Sequence, residues 1–595
     1  MFLATTASQN FWSSDEPILF LGEWCRIYSQ KSTWSQLEHD VLPYHGQNRD
    51  TLYRDYKYAM DVYERILVQL SKELNRLHGT NYPSRCWRII LGPWLLRFIE
   101  ILLDRYRSIC VASDSGKVTN TWITPEFPEE YLPNDFSEFR GWYCEDDYNH
   151  CLYSQVIKSL GTIPWEGKKD VDPSIFKPKE STPPARAGFK RTMIGWIRAC
   201  SNFFPRRSGA MVAIETYIRP IDLMKLQLSM RMLPRPYYGV DIDVMPFEVD
   251  WEMRRNLGLN QGENRFESIL KEYIPLHIPK VYVEGYSRLA QRAMEVFPKK
   301  NKVILTSNAY MADEGFKFWA ADQVSRGAKL AITQHGGHVG DGLWSTDDDH
   351  EFKIADRYFT WGWAREGEST GVPLPSSMLR RGRGCKPNPD GAILCVAASF
   401  PRYPYVMFSA PTGPFGLDVL KEQNQFFNAV SPKVYKLLIQ RLFPAGHRKD
   451  GGGLDEDIRW PDIQPSLRIS RGAQTMYDQL NQSRLCVCFY NGTPFLETFV
   501  ANYPTLLFWN PRYTELNELA LPYFDLLRKA EILHDTPESA AFKLNEIYQR
   551  PLSWWRSPEV QDAKNNFCNR FARTSNEWVT QWKGELLKLA CERQG

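Results

Sequence analysis

The sequence predicts an α/β protein with two lobes, each built around a parallel sheet. Short apolar runs that end in polar, Gly-rich loops recur along the chain, and amphipathic segments of helical period separate them. Residues 371–390 are rich in Pro, Gly and Arg and have no periodicity, which is typical of a linker. With 595 residues and 43% apolar content, the chain is long enough for two large lobes and is not generally disordered.

The first lobe begins with an apolar run at residues 18–21, which predicts a strand that leads into a cleft loop at 22–25. Two long helices are predicted next, over 49–78 and from Ser84 onward, and Pro93 is expected to kink or divide the second one. The later strands of this lobe are predicted at residues 208–216, 302–307, 327–333 and 356–362.

The second lobe repeats the pattern directly after the linker. Its strand-containing segments are predicted at residues 392–397, 434–442, 485–489 and 505–509. The predicted organisation is a first lobe with helical insertions at 1–370, a linker at 371–390, a Rossmann-like second lobe at 391–540, and a helical tail at 541–595 that packs back on the first lobe.

Charge and cysteine content exclude several classes of protein. The formal net charge of +3 differs from the strongly basic balance of a nucleic-acid-binding domain, so no nucleic-acid partner is expected. The 12 Cys include no CxxC pair, which favours reduced thiols and gives no zinc site. The N-terminus lacks the pattern of a signal peptide, and the longest apolar region, 89–103, is too short to span a membrane. The chain is therefore expected to be cytoplasmic.

The stretch at 334–342, with the sequence QHGGHVGDG, carries the strongest functional signal. Its glycines let the backbone approach a ligand closely, and their amides can form a nest for phosphate. The stretch matches neither the GxGxxG fingerprint nor the P-loop. Gln334, Gly336 and Gly337 are predicted to face a bound phosphate, and His335 is predicted to act as a general base. The alternative is a tight turn in which His335 bonds the backbone.

A second stretch combines a strand, a glycine turn and the start of a helix. Asn491 and Gly492 follow the predicted strand, and Thr493 is expected to cap the helix. The positive end of that helix is a natural site for a nucleotide phosphate. Glu497, one turn into the helix, is predicted to bind ribose hydroxyls, the alternative being an ordinary carboxylate near a helix start.

Charged side chains complete the candidates. Arg441 follows an apolar strand-like run and Arg448 lies in the loop after it, where a guanidinium could hold a phosphate or a sugar carboxylate. Acidic residues that invite a metal interpretation lie at 241, 243, 347–349 and 351. Because no spacing fixes a coordination shell, no metal is assigned and a divalent cation is not expected.

The second lobe resembles the GT-B glycosyltransferases. In that fold Gly-Thr, then Glu one turn into the helix, then a small residue and Pro before a strand line the nucleotide-sugar site. The matching residues here are Gly492 and Thr493, Glu497, and the segment 501–504. The resemblance covers mainly residues 391–540. It implies a GT-B-like fold of two Rossmann-like lobes, a nucleotide-sugar donor as the only cofactor, and a tail helix that crosses back to the first lobe.

Four further words resemble the transferase family found in bacterial O-antigen and surface-carbohydrate gene clusters. They are FLGEWC at 20–25, LGPWL at 91–95, QHGG at 334–337 and TWGW at 360–363. The resemblance implies a glycosyltransferase of O-antigen, lipopolysaccharide or other surface-carbohydrate synthesis. Its acceptor would be a glycan or lipid-linked glycan, held through Glu23 and Trp24. A lipid-linked acceptor would place the protein peripherally at the inner face of the cytoplasmic membrane.

The mechanism and the donor stay open at this point. An inverting reaction would use His335 as the base, whereas a retaining one would need a carboxylate nucleophile, for which Asp341 and Glu23 are candidates. His-Gly words also resemble capsule Kdo transferases and teichoic-acid glycerophosphotransferases. That resemblance favours a CMP-activated keto-acid sugar, Kdo-like or a nonulosonic acid, with Arg441 and Arg448 near its carboxylate. The alternatives are a CDP-alditol phosphotransferase, a GT-B-fold sugar epimerase, and a non-catalytic glycan-binding assembly protein.

Overall fold

The computed structural model describes residues 1–124, 126–168, 211–232, 246–259, 262–443 and 453–592. These residues form three parallel sheets and a two-stranded parallel ladder, surrounded by helices. The predicted α/β, GT-B-like class is confirmed at the level of two parallel-sheet lobes with helical insertions in the first and a helical C-terminal tail. The predictions for Arg448, Asp241 and Asp243 lie outside the described residues.

A small parallel sheet opens the chain. Its strands are β1 (Phe2–Ala4), β2 (Ile18–Phe20) and β3 (His39–Val41), paired in the order β1-β2-β3. The short helix α1 (Lys31–Trp34) lies between β2 and β3 in the sequence. The strand predicted at 18–21 is therefore present and is the central strand of this sheet.

Two long helices, α2 (Arg49–His78) and α3 (Ser84–Asp114), pack against each other in the first lobe. The side chain of Asn48 caps the start of α2, and Gly79 ends it with a φ of 62°. The α3 helix runs through Pro93 without being divided. Because most residues of α3 are buried, its tertiary packing compensates for the hydrogen bond that Pro93 cannot donate.

The main sheet of the first lobe has five parallel strands that follow one another in sequence order. A ladder of β4 (Trp122–Ile123) and β5 (Glu166–Gly167) precedes it. The strands of the five-stranded sheet are β6 (Met211–Ile214), β7 (Val303–Thr306), β8 (Lys329–Thr333), β9 (Arg357–Thr360) and β10 (Gly371–Pro373). This five-stranded sheet thus extends to Pro373, which lies within the residues predicted as the linker.

The second lobe has a six-stranded parallel sheet. Its strands are β11 (Ala392–Val396), β12 (Leu438–Arg441), β13 (Arg468–Ser470), β14 (Ser483–Cys488), β15 (Thr505–Phe508) and β16 (Leu533–His534). They lie in the order β13-β12-β11-β14-β15-β16. This is the strand order of the doubly wound dinucleotide-binding folds, with the reversal between β11 and β14.

The other helices connect and cover these sheets. In the first lobe they are α4 (Phe136–Trp142), α5 (Asp146–Leu160), α6 (Pro220–Ser229), α7 (Trp251–Arg255), α8 (Arg265–His277), α9 (Tyr286–Val296), α10 (Ala309–Ala312), α11 (Glu314–Ser325) and α12 (Thr346–Ile354). In the second they are α13 (Phe415–Ala429), α14 (Pro432–Tyr435), α15 (Glu456–Ile463), α16 (Met476–Asn481), α17 (Thr493–Val500), α18 (Leu521–Lys529) and α19 (Pro537–Ile547). No helix in the described ranges combines the length and the apolar character that crossing a membrane requires.

The chain ends with α20 (Pro551–Trp555), α21 (Pro558–Phe571) and α22 (Trp578–Cys591). The last of these helices contacts the first-lobe sheet, because Trp578 and Trp582 share an apolar cluster with residues of β6 and β7. Trp582 also donates its indole N–H to the carbonyl of Pro375 at 2.9 Å. Its two tryptophans therefore serve as packing residues.

Candidate active site between the two sheets

A cavity of about 620 Å³ lies between the two lobes. Its walls are formed by residues that follow β7 and β8 in the first lobe and β11, β14 and β15 in the second. These are the carboxyl ends of parallel strands, where open α/β sheets bind their ligands. Because the loops after β11 and β14 both line it, the cavity occupies the point at which the strand order of the second sheet reverses.

The two glycine-containing stretches found in the sequence meet in this cavity. The backbone N–H of Gly337 donates to the Thr493 hydroxyl at 2.8 Å, although the two residues are 156 positions apart. A Cβ on Gly337 would lie 2.5 Å from the carbonyl carbon of Gly492, so only glycine permits this approach. The N-cap of α17 is Gly492 rather than Thr493, so the predicted capping role of Thr493 is wrong. Its hydroxyl instead joins the two lobes.

His335, the predicted base, lines the cavity with 32% of its side chain exposed. Burial lowers the pKa of its imidazole, although the carboxylates of Asp347 and Asp348 act in the opposite direction. Nδ1 is enclosed without a hydrogen-bond partner among the described residues and lies 3.8 Å from Glu351 Oε1. Because Nδ1 is enclosed and His335 lines the cavity, we expect Nε2 to be the ring nitrogen that a ligand reaches. A neutral imidazole oriented like this can accept a proton.

His338, which sequence reasoning does not identify, also lines the cavity. Its Nδ1 lies 2.9 Å from Asp341 Oδ1 and 2.9 Å from Asn491 Nδ2, and that Asn491 amide donates to Asp341 Oδ2 at 3.1 Å. Burial alone would lower the pKa of His338, but the Asp341 carboxylate, together with Asp348 and the Ser409 backbone, outweighs it and raises the pKa. The second His of the word HGGH is the signal that could have identified it.

This network assigns Asp341 a positioning role. The residue is 3% exposed, and its two carboxylate oxygens face His338 and Asn491. A nucleophile for a retaining mechanism would need an oxygen directed at the ligand, so the burial of Asp341 argues against that predicted role. Asn491 itself lines the cavity, as do Gly336, Gly492 and Thr493.

Three carboxyl groups of α12 line the same cavity as His335: those of Asp347, Asp348 and Glu351. Burial raises the pKa of Asp348 to about 7 and the pKa of Glu351 to about 8. Their partners differ, namely Arg97 for Asp347, the Ser345 hydroxyl and the Gly340 N–H for Asp348, and the Tyr310 hydroxyl for Glu351. Within the described residues no group of His, Cys, Asp and Glu could hold a metal ion.

Gln334 supports the loop from behind. Its amide N–H donates to the carbonyl of Gly336 at 2.8 Å, and its Oε1 accepts from the Trp361 backbone and from the Trp363 indole. The side chain is buried and both ends of its amide are bonded within the protein. This arrangement argues against the predicted phosphate contact and makes Gln334 a positioning residue for the glycine loop.

Glu23 and Trp24 lie away from the cavity that holds His335. Glu23 forms an ion pair with Arg26 at 2.6 Å and lines a separate cavity of about 810 Å³. Trp24 is 2% exposed, donates its indole N–H to the carbonyl of Thr5, and presents no ring face to a ligand. The structure therefore argues against the acceptor contact predicted for Trp24, because the ring is part of the core. It also separates Glu23 from His335.

Two predicted donor-binding residues of the second lobe do not line the cavity. Arg441 donates to the carbonyl of Gln474 at 3.0 Å and to the side chain of Gln479. Glu497 accepts from the Tyr477 hydroxyl at 2.7 Å, and burial raises the pKa of its carboxyl group. Both side chains are therefore bonded within their own lobe. Arg448 lies outside the described residues.

Comparison with known proteins identifies the family of this chain. Residues 1–586 match the model of the LIC12162 family transferases. The chain belongs to this family. The family model covers nearly the whole chain, including both lobes and the cavity between them, so the protein is a transferase. A comparison with curated proteins finds no match.

Among solved structures, the chain is similar to the crystal structure of WaaG, a glycosyltransferase involved in lipopolysaccharide biosynthesis. The identity is 10%, and the alignment covers 51% of this chain and 95% of that chain with a TM-score of 0.24. A TM-score this low does not establish a common fold. The assignment of the fold therefore depends on the strand order of the sheets in this chain.

Proposed function

We propose that this transferase is a nucleotide-sugar-dependent glycosyltransferase that builds a cell-surface polysaccharide such as an O-antigen. The observation that carries the proposal is the cavity between the carboxyl ends of two parallel sheets. There His335 and the glycine loop of the first lobe face the amino-terminal end of α17 in the second. Membership of a transferase family supports group transfer as the type of reaction.

In the proposed reaction the donor phosphates lie between the first turn of α17 and the backbone at Gly336. Helix N-termini and glycine backbones both supply N–H groups to anions. His335 Nε2 takes the proton from the attacking hydroxyl of the acceptor. A bond forms between that oxygen and the anomeric carbon, while the bond from the anomeric carbon to the donor phosphate oxygen breaks. The carboxylate of Asp347 favours the charged imidazole that results.

The nature of the donor is the finer part of the proposal. A CMP-activated keto-acid sugar carries a carboxylate that needs a cationic partner. None of the described residues that line the cavity is Lys or Arg, and the Arg441 guanidinium is bonded elsewhere. The raised pKa of His338 makes it the candidate cation in the cavity wall. The thermal-shift screen described next therefore includes CMP, the nucleotide of such a donor. The acceptor is proposed to be a glycan or lipid-linked glycan at the cytoplasmic face of the membrane.

A thermal-shift screen of the purified protein against CMP, CDP, UDP, GDP and dTDP, with and without Mg²⁺, tests the proposal. A nucleotide at 100 times its dissociation constant should add about 2.7 kcal/mol to the free energy of unfolding and raise the Tm visibly. A selective rise identifies the nucleotide class, and CMP would favour a keto-acid sugar. No rise with any of the five nucleotides would contradict the proposal.

Product analysis then separates the two transferase chemistries that suit this cavity. A glycosyltransferase leaves the whole donor sugar on the acceptor through a glycosidic bond. A CDP-alditol phosphotransferase also releases CMP, as a CMP-sugar transferase would, but it leaves a phosphodiester in the product. Detection of a new phosphodiester would replace the glycosyltransferase proposal with the phosphotransferase alternative.

A further inference from the structure

The oxygen of a buried amide in the second-lobe wall of the cavity has no hydrogen-bond partner among the residues that the structure describes. Gln423 lies on α13, is 1% exposed and lines the cavity. Its Oε1 is enclosed and makes no hydrogen bond to any residue that the structure describes. Buried polar side-chain atoms are bonded in the large majority of cases, and an unpaired one is costly. Because the Gln423 side chain also lines an open cavity, we infer that its oxygen is paired once the amide turns toward a ligand there.

The surroundings of Gln423 are apolar and largely buried. Val419, one turn earlier on α13, lines the same cavity, as do Phe400, Phe489 and Phe508. These four side chains belong to a single apolar cluster on one face of the second sheet. The rings of Phe489 and Phe508 meet edge to face with centroids 6.1 Å apart. Aromatic walls with a single amide among them suit a planar heterocycle that has polar groups along one edge.

The position relative to the phosphate site supports the same interpretation. Phe489 directly precedes the turn that leads through Asn491 to the start of α17. A ligand with its ring against Phe489 can therefore extend its phosphates toward that helix without leaving the cavity. This is the arrangement that a nucleotide requires.

We propose that Gln423 binds the edge of the donor's nucleobase, with the base lying in the cavity against the apolar wall that includes Phe400 and Val419. The inference rests on the proposed function, because the base enters as part of the nucleotide donor. A glutamine amide presents one donor and one acceptor side by side, which pair with the adjacent donor and acceptor groups on a base edge. Gln423 thus determines which nucleotide is accepted, while the phosphates are held at α17.

The test is Gln423→Leu, with Gln440→Leu as the matched control. Gln440, on β12, is 0% exposed, and neither of its amide atoms has a partner among the described residues, but it does not line the cavity. Dissociation constants are measured by calorimetry for the nucleotide that gives the largest thermal shift, for the other four nucleotides, and for ribose 5-phosphate. The Tm of each ligand-free variant is measured as well.

For Gln423→Leu we expect about 10–100-fold weaker binding of the preferred nucleotide, since a lost hydrogen bond in a dry site leaves a base edge unpaired. Selectivity among the five nucleotides should fall, and the affinity for ribose 5-phosphate should stay unchanged. The ligand-free Tm should not drop, because the substitution removes an unpaired buried amide. Gln440→Leu should keep the nucleotide affinity of the wild type.

Unchanged affinity and selectivity in Gln423→Leu, while the wild type binds nucleotide, would overturn this inference and leave the proposed function standing. Equal losses in the Gln423 and Gln440 variants would overturn it too, because they would indicate a general packing effect. If the wild type binds no nucleotide, the proposed function itself fails. Gln423→Met, which also keeps the shape and lacks the amide, replaces the leucine variant if that variant does not fold.

Discussion

The first-lobe wall of the cavity carries His335, Asp348 and Glu351, whereas the second-lobe wall carries Phe400, Phe489 and Phe508 with the amide of Gln423. The first set consists of titratable groups whose pKa values are shifted by burial. The second set is largely uncharged and shaped for contact area. In the proposed reaction, proton transfer and recognition of the donor therefore fall to different sheets, and the reaction needs both sheets at a fixed separation.

The separation is fixed where the two walls touch. Gly337 donates to Thr493 across the cavity, and Asn491 reaches from the second lobe to Asp341 and His338 in the first. These contacts are made by backbone and buried polar groups rather than by exposed ion pairs. The geometry of His335 relative to a bound nucleotide is therefore set by the packing of the two loops.

The largest effect is expected from removing the imidazole of His335 in the first-lobe wall. His335→Ala should lower kcat by about 10²–10⁴-fold if His335 is the general base, and nucleotide binding should persist because the second-lobe wall is intact. In the wild type the acid limb of the pH–rate profile should lie below the ordinary pKa of histidine, since burial lowers the pKa of His335. That limb should be absent in the variant.

The Tm of His335→Ala and its thermal shift with nucleotide are the controls for this experiment. A variant that keeps its Tm, binds nucleotide and turns over at the wild-type rate would remove His335 from the chemistry. The proton acceptor would then have to be sought among the carboxyl groups of α12.

The next effect concerns the contact between the walls. Gly337→Ala places a Cβ 2.5 Å from the Gly492 carbonyl carbon and 2.6 Å from the Thr493 N, so the loops must separate. Overpacking of this kind costs about 1–3 kcal/mol of stability, and kcat should fall as His335 moves away from the donor. The measurements are the midpoint of urea unfolding and the turnover rate.

Gly336→Ala is the matched control, because the nearest atom to its new Cβ is the Thr493 hydroxyl oxygen at 3.8 Å. It should be close to the wild type in stability. Equal effects of the two substitutions would show that the contact between the lobes is not what makes Gly337 necessary.

Most strands of the two main sheets could be predicted from the sequence because alternation of apolar runs and polar loops is a local property, but the edge strands β10, β13 and β16 were not predicted. The loops at Gly337 and Thr493 were found for the same reason, since glycine density and helix-start residues are visible without knowing the neighbours. Their meeting across the cavity depends on two sheets facing each other, and no local pattern carries that information.

The residues that were missed or misplaced depend on distant partners. His338 gains its raised pKa from Asp341, and Asn491, 153 positions away, completes that contact. Gln423 is one polar residue on an otherwise apolar helix face, which the sequence alone cannot distinguish from an ordinary surface position. Trp24 was predicted to contact a sugar because tryptophan is a residue type that stacks on sugars, but tertiary packing buries its ring.

The smallest effect is expected from the buried carboxyl group of Asp348 in the first-lobe wall. The folded-state pKa of Asp348 is about 7, above the ordinary value of 3.8, so the folded protein holds a proton there that the unfolded chain has already lost. The contribution of Asp348 to the stability of the wild type should therefore fall as pH rises from about 4 to about 7, where the buried carboxyl ionises. Asp348→Asn cannot ionise, so its Tm relative to the wild type should increase by a few degrees over this range and then level off.

Glu351→Gln extends the same experiment to a second carboxyl group. Because the pKa of Glu351 is raised to about 8, its Tm difference from the wild type should continue to increase up to about pH 8, one unit beyond the point at which the Asp348→Asn difference levels off. Tm values measured at half-unit steps from pH 4 to pH 9 would resolve the two. Differences that do not change with pH would mean that the first-lobe wall is hydrated enough to leave its carboxyl groups ionised, and the contrast between the two walls would then be one of shape rather than of charge.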